Sequence, residues 1–111
     1  MSLAVEPTDL AGVAQLHGPA AYVLTTGADS RPRVIHVPVD IADDGTISAV
    51  VGRSAAANAT DRPNVCVLWP PAPDGFSLIA DGTAIVEGQP GPDTQITVTV
   101  TTAVRHRPAR T

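Results

Sequence analysis

Arg33 to Ile41 alternates with a period of two. Ile35, Val37, Val39 and Ile41 point one way, and Val34, His36, Pro38 and Asp40 point the other. That period belongs to a half-buried strand with one face on a core. Gln95 to Val104 repeats it, with Ile96, Val98, Val100 and Val104 opposite Thr97, Thr99, Thr101 and Ala103. Pro38 lies inside the first of these strands, which predicts an edge position or a bulge there.

Turn residues mark off the remaining elements. Ala20 to Thr26 is predicted as a strand, followed by a hairpin turn over Gly27 to Pro32 that contains Asp29-Ser30. Asp43-Asp44-Gly45 makes the next turn, and Ile47 to Val51 returns. Val65 to Trp69 and Phe76 to Glu87 are further strands, the second with a bulge or sharp bend at Asp81-Gly82. Pro70 to Gly75 is a stiff connector and Gly88 to Pro92 a loop. A first helix is predicted over Thr8 to His17, capped by Thr8 or Asp9 and stopped by Gly18-Pro19. A second starts at Ser54 as N-cap, continues through Ala55, Ala56 and Ala57, and ends before Arg62-Pro63.

The expected fold is mainly β, a single domain over residues 1–111 with six strands and two short helices. Tyr22, Trp69 and Phe76 are the only aromatics, so valine, alanine, isoleucine and threonine must fill the interior, which favours strands. Hairpin-spaced strands with bulges point to an antiparallel barrel or sandwich. A barrel is preferred because closure removes exposed edges.

Charge and composition exclude several function classes. Seven arginines and no lysine face eleven acids, for a net charge of -4. General nucleic-acid binding needs a basic face, so no nucleic-acid partner is expected. The cluster Arg105, His106, Arg107 and Arg110 is read as a solvated tail. No stretch has the form of a signal peptide or the length of a membrane span, so a cytoplasmic protein without a membrane partner is expected. Cys66 stands alone and is read as a small buried hydrophobe. His17, His36 and His106 are far apart in sequence and Cys66 has no second cysteine at ligand spacing, so no metal site is expected. His36 is read as a surface or interface histidine. There is no G-x-S-x-G and no Walker or Rossmann glycine pattern, so no catalytic residue is assigned.

Ile47 to Trp69 combines a strand, a basic turn, a helix start and a returning strand. Free backbone N–H groups at the helix start favour a phosphate, and Arg53 adds charge. The alternative is that Ser54 only caps the helix and Arg53 is solvated; local spacing favours this plainer reading.

The order of these segments resembles the flavin-binding split β-barrel family, the pyridoxamine 5′-phosphate oxidase-like proteins. The resemblance runs from about Leu16 to Glu87. Arg31-Pro32 through Pro38-Val39 is similar to the family's second strand, where a G-x-P is followed by a P-V pair. Asn58 with Asp61-Arg62-Pro63-Asn64-Val65 resembles an N-L-x-x-D-P-R-V-like run, and Asp81-Gly82-Thr83-Ala84 resembles a G-x-A turn. The resemblance implies a homodimer with flavin mononucleotide (FMN) in a groove between protomers. It implies phosphate binding at Arg53, Ser54 and Ala55, and a ring lying along Pro38 and Val39 against Ser48, Ala49 and Val50. It also implies an oxidoreductase that exchanges hydride with a small molecule. The family often has lysine at the position of Ala55, and this chain has none. The alternative is therefore a non-catalytic split-barrel dimer that binds flavin weakly, binds a deazaflavin, or binds no flavin. Independently, Ala49-Val50-Val51 and Val65 to Trp69 are apolar on both faces. A barrel interior covers one face, and a second protomer is expected to cover the other.

Overall fold

The computed structural model describes residues 1–109. In chain order the elements are β1 (Ser2–Ala4), a 3-10 turn (Pro7–Asp9), α1 (Leu10–Ala14), β2 (Ala20–Thr26), β3 (Pro32–Ile41), β4 (Ile47–Val51), α2 (Arg53–Asp61), β5 (Asn64–Trp69), β6 (Ser77–Val86) and β7 (Thr94–His106). Every strand pairing is antiparallel. The order β7-β4-β3-β2-β5-β6 returns to β7, so six strands close into a barrel. β1 adds to the end of β7 through Ser2↔His106, Leu3↔Arg105 and Ala4↔Val104. This strand is missing from the sequence reading. Three exposed residues carry no alternation, and it exists because β7 offers it backbone partners.

The first helix is shorter than predicted. Only Leu10–Ala14 is α-helical, and Asp9 at its N-cap makes no side-chain capping bond. Gly12 inside the helix weakens it, and Gly18, at φ 99, turns the chain away.

The core is filled by Trp69, Leu10, Ile47, Leu78, Ile96, Val23, Val51, Val67 and Val98, all fully buried. The inward residues of β3 are only partly buried. The cause is a change of partner. β3 pairs with β2 from Pro32 to Pro38, and with β4 only at Val39, Asp40 and Ile41. Its first half therefore has no strand on the β4 side, and Pro38 sits where the partner changes. The edge that the proline predicted is this opening in the barrel wall.

The bulge at Asp81-Gly82 is present, and it corrects the reading of β7. Asp81 registers with Thr102 and Gly82 with Val100, so Thr101 is an extra residue. Its hydroxyl donates to the Asp81 carbonyl at 2.9 Å. The extra residue flips the alternation, so Ala103, not Val104, takes the core position.

The basic cluster near the C-terminus is not a solvated tail. The Arg105 side chain is 13% exposed and its Nη2 lies 2.7 Å from Asp74 Oδ2. Its Nε–H donates to His17 Nε2 at 3.2 Å, which leaves the proton on Nδ1 to be donated to the Pro70 carbonyl at 3.0 Å. Arg105 and Arg107 both lie over the Phe76 ring. The Arg105 guanidinium and the Phe76 backbone N–H hold the Asp74 carboxyl below the usual carboxylate range. Arg110 lies outside the described residues. Among the described residues no helix is long and apolar enough to cross a membrane.

At Gly82 the backbone of β7 lies close against β6. A Cβ there would strike the Thr99 carbonyl oxygen and lie 2.7 Å from Val98 Cγ1. Gly82→Ala should destabilise the fold by about 1–3 kcal/mol. Urea unfolding measures this, and a wild-type midpoint would refute the close approach.

Candidate functional site

α2 follows β4 and packs against β2, β6 and β7. The helix begins at Gly52, whose extended backbone (φ -77, ψ 174) makes it the N-cap, and no side chain caps it. The first helical bond runs from the Ala56 N–H to the Gly52 carbonyl at 3.0 Å. Ser54 is thus inside the first turn and not the cap expected from sequence. The earlier N–H groups, those of Arg53, Ser54 and Ala55, have no intrahelical acceptor. Ala55, Ala56 and Ala59 form the buried face, small enough to bring the helix close to the barrel.

Polar contacts fix the helix against β2. Asn58 Nδ2 donates to Thr25 Oγ1 at 3.2 Å, and Arg62 Nε donates to the Thr26 carbonyl at 2.7 Å. Arg62 ends the helix as predicted, with φ -134 and ψ 85, and its side chain also ties the helix to the sheet.

Between α2 and the β2–β3 hairpin lies a cavity of about 600 Å³. Ser54, Ala55 and Asn58 line it from the helix; Thr25, Gly27, Ala28, Asp29, Arg33, Val34 and Ile35 line it from the hairpin. Arg33 and Asp29 form an ion pair at 2.8 Å. Neither residue was singled out from sequence. In the linear chain Asp29-Ser30-Arg31-Pro32-Arg33 carries only a turn signal, and nothing in it says that the turn faces a helix start.

The residues expected at a flavin site fall in separate places. Ser54 and Ala55 share the large cavity. Pro38, Ser48, Ala49 and Val50 line a second one of about 300 Å³, together with Asp40 and Gln95. Val39 lines a third of about 390 Å³, with Trp69 and residues around α1. Arg53 is exposed and lines none of these three. On the outer sheet face the rings of Tyr22 and His36 stack at 4.4 Å, and Val34 and Val50 are each 54% exposed.

Cys66 is half-buried, less enclosed than the sequence implied, and borders a cleft of about 380 Å³ with Asp81. Burial, and then the Asp81 carboxylate, push its thiol up to about 11. Among the described residues no group of three or more histidine, cysteine, aspartate or glutamate side chains could hold a metal ion. Because the thiolate is the reactive form, Cys66 should alkylate with iodoacetamide far more slowly than a free thiol at pH 8. The rate should rise as the pH approaches 11. A rate equal to that of free cysteine at pH 8 would contradict this environment.

No protein-family model matches the sequence, and no curated protein sequence does. Solved structures do match. A protein related to general stress protein 26 from Clostridium acetobutylicum, of the pyridoxinephosphate oxidase family, superposes with a TM-score of 0.73 at 10% identity, over 93% of this chain and 91% of that one. A FAD-binding protein from Mesorhizobium loti gives 0.72 at 9% identity, over 95% of both chains. HutZ, the heme storage protein of Vibrio cholerae, gives 0.65 at 11% identity, over 80% of this chain and 87% of that one. The chain has the split-barrel fold of pyridoxamine 5′-phosphate oxidase-like proteins, a fold shared by a FAD-binding protein and a heme storage protein.

Proposed function

We propose that the protein binds FMN as a homodimer and exchanges hydride with a small molecule. The observation that carries this reading is the cavity of about 600 Å³ at the barrel opening, where an uncapped helix start meets Arg33. A phosphate needs N–H donors, a hydroxyl and positive charge. The first turn of α2 supplies the N–H groups, Ser54 the hydroxyl and Arg33 the charge. Ala28, Val34 and Ile35 give the same cavity apolar walls. This donor set fits a phosphate joined to a less polar body. Arg33 also answers the missing lysine, because it brings a cation to the cavity from the hairpin instead of from position 55. When bound, a flavin supplies the hydride chemistry, and the protein supplies position and electrostatics.

The second protomer follows from the outer face. Tyr22, Val34 and Val50 are exposed on neighbouring strands, and an isologous contact would cover them. That contact would bring the second cavity, at Pro38, Ser48, Ala49 and Val50, into one interface region with the first. The competing reading is a non-catalytic dimer that binds flavin weakly, binds a deazaflavin or binds none. Ala55 and the absence of lysine favour it.

Two measurements decide. Calorimetry should find FMN bound roughly ten- to a hundredfold more tightly than riboflavin, the worth of one charge-assisted contact. Ala55→Lys, at a position that borders the cavity, should tighten FMN further and leave riboflavin unchanged, with circular dichroism checking that the buried face of α2 still packs. Equal affinities would end the phosphate reading, and no affinity for either would end the flavin reading. Light scattering should give twice the 11.3 kDa chain mass. A monomer mass at all concentrations would remove the shared interface.

A further inference from the structure

We propose that Asp29 is a specificity-determining residue of this cavity, which holds Arg33 in an ion pair that an incoming phosphate must displace. The inference rests on the phosphate-binding reading above and goes beyond it.

The hairpin is built to hold this pair. Arg33 Nη2 donates to Asp29 Oδ2 at 2.8 Å, and Nη1 donates to the Pro32 carbonyl at 3.3 Å. Asp29 Oδ1 accepts the Arg31 N–H at 3.0 Å. The turn is closed by Gly27 N–H to the Arg31 carbonyl at 2.8 Å and Ser30 N–H to the Gly27 carbonyl at 2.9 Å. Ser30 adopts φ 66, in the left-handed region that a serine rarely occupies. A Cβ on Gly27 would lie 2.9 Å from Asp29 Oδ1 and 3.5 Å from Arg33 Cζ. The pair therefore lies over a bare glycine, and all three residues line the cavity.

The consequence is electrostatic. Arg33 is the one cation and Asp29 the one anion among the residues lining this cavity, so together they present no net charge. The Arg31 N–H and the Arg33 side chain hold the Asp29 carboxyl below its usual range, so it is ionised at neutral pH. Asp29 has two opposed effects on a phosphate: it orients Arg33, and it repels the ligand. The two side chains are 50% and 47% exposed. In such exposed pairs the orienting benefit is small. The repulsion acts on a group with nearly two negative charges and is the larger effect. Asp29 thus lowers the affinity for phosphate-bearing ligands and leaves neutral ones untouched.

The test uses FMN and riboflavin, titrated by flavin fluorescence into wild type, Asp29→Asn, Asp29→Glu, Arg33→Met and the double variant Asp29→Asn/Arg33→Met. Asp29→Asn should raise FMN affinity roughly three- to tenfold and leave riboflavin unchanged. Asp29→Glu should keep the wild-type ratio. Arg33→Met should remove most of the preference for FMN, and the double variant should gain nothing over it. Riboflavin affinity serves as the control for an intact fold. If wild type prefers FMN but Asp29→Asn leaves or lowers the ratio, the role of Asp29 is overturned and flavin binding stands. If no variant prefers FMN, the phosphate-binding reading falls and the role of Asp29 falls with it.

Discussion

The barrel depends on one strand that changes partner. β3 spends seven residues on β2 and three on β4, and the exchange occurs at Pro38. A proline has no N–H to give to a ladder, so a continuous two-sided pairing through this point would lose a bond. Giving each half of the strand a single neighbour avoids that loss. The chain remains closed because β4 continues along β7 through Val51 and because Val39 N–H still reaches the Pro19 carbonyl at 3.0 Å. The half of β3 without a neighbour leaves a gap, and α2, which packs on β2, β6 and β7, faces it across a cavity.

What borders the gap decides its chemistry. A strand there would have sealed the wall with backbone hydrogen bonds. A helix seals only its own, and it leaves the N–H groups of its first turn unsatisfied. Alanine on the buried face lets α2 sit close, while Asn58 and Arg62 hold it by side-chain contacts to β2. The helix start then lies beside the β2–β3 hairpin, and the cavity between them inherits polar groups from both. The site exists because the barrel is open at that place.

Much of this was legible in the sequence because it depends on pattern. The alternation of β3 was readable from Arg33 to Ile41, the break at Arg62-Pro63 from proline sterics, and the bulge from Asp81-Gly82. The parts that were not legible depend on distant chain. β1 carries no pattern and forms only against β7. The bulge was visible, but its effect on the far strand, Ala103 inward in place of Val104, required the register. Gly52 and Ser54 compete for the cap, and the sequence favours serine by side chain although the backbone turns at glycine. Arg105 looked solvated because its partners, His17 and Asp74, are 88 and 31 residues away. Ser54 and Ala55, the residues proposed to meet a phosphate, were legible as a helix start. Arg33 and Asp29 were not, since a turn does not announce what it faces.

Sequence identities of 9–11% with the same architecture follow from this division. In this chain the fold rests on apolar alternation, a change of partner in β3 and a glycine at the bulge where β6 meets β7. None of them constrains the side chains on the β2–β3 hairpin, which pack on no core. Asp29 and Arg33 are about half exposed, so their replacement leaves the barrel standing. A cavity whose walls are fixed by the barrel and whose charge is set by an exposed hairpin can change ligands without changing fold. In this chain the exposed hairpin carries the cation Arg33 beside the Asp29 carboxylate, while position 55 on the buried face of α2 carries an uncharged alanine.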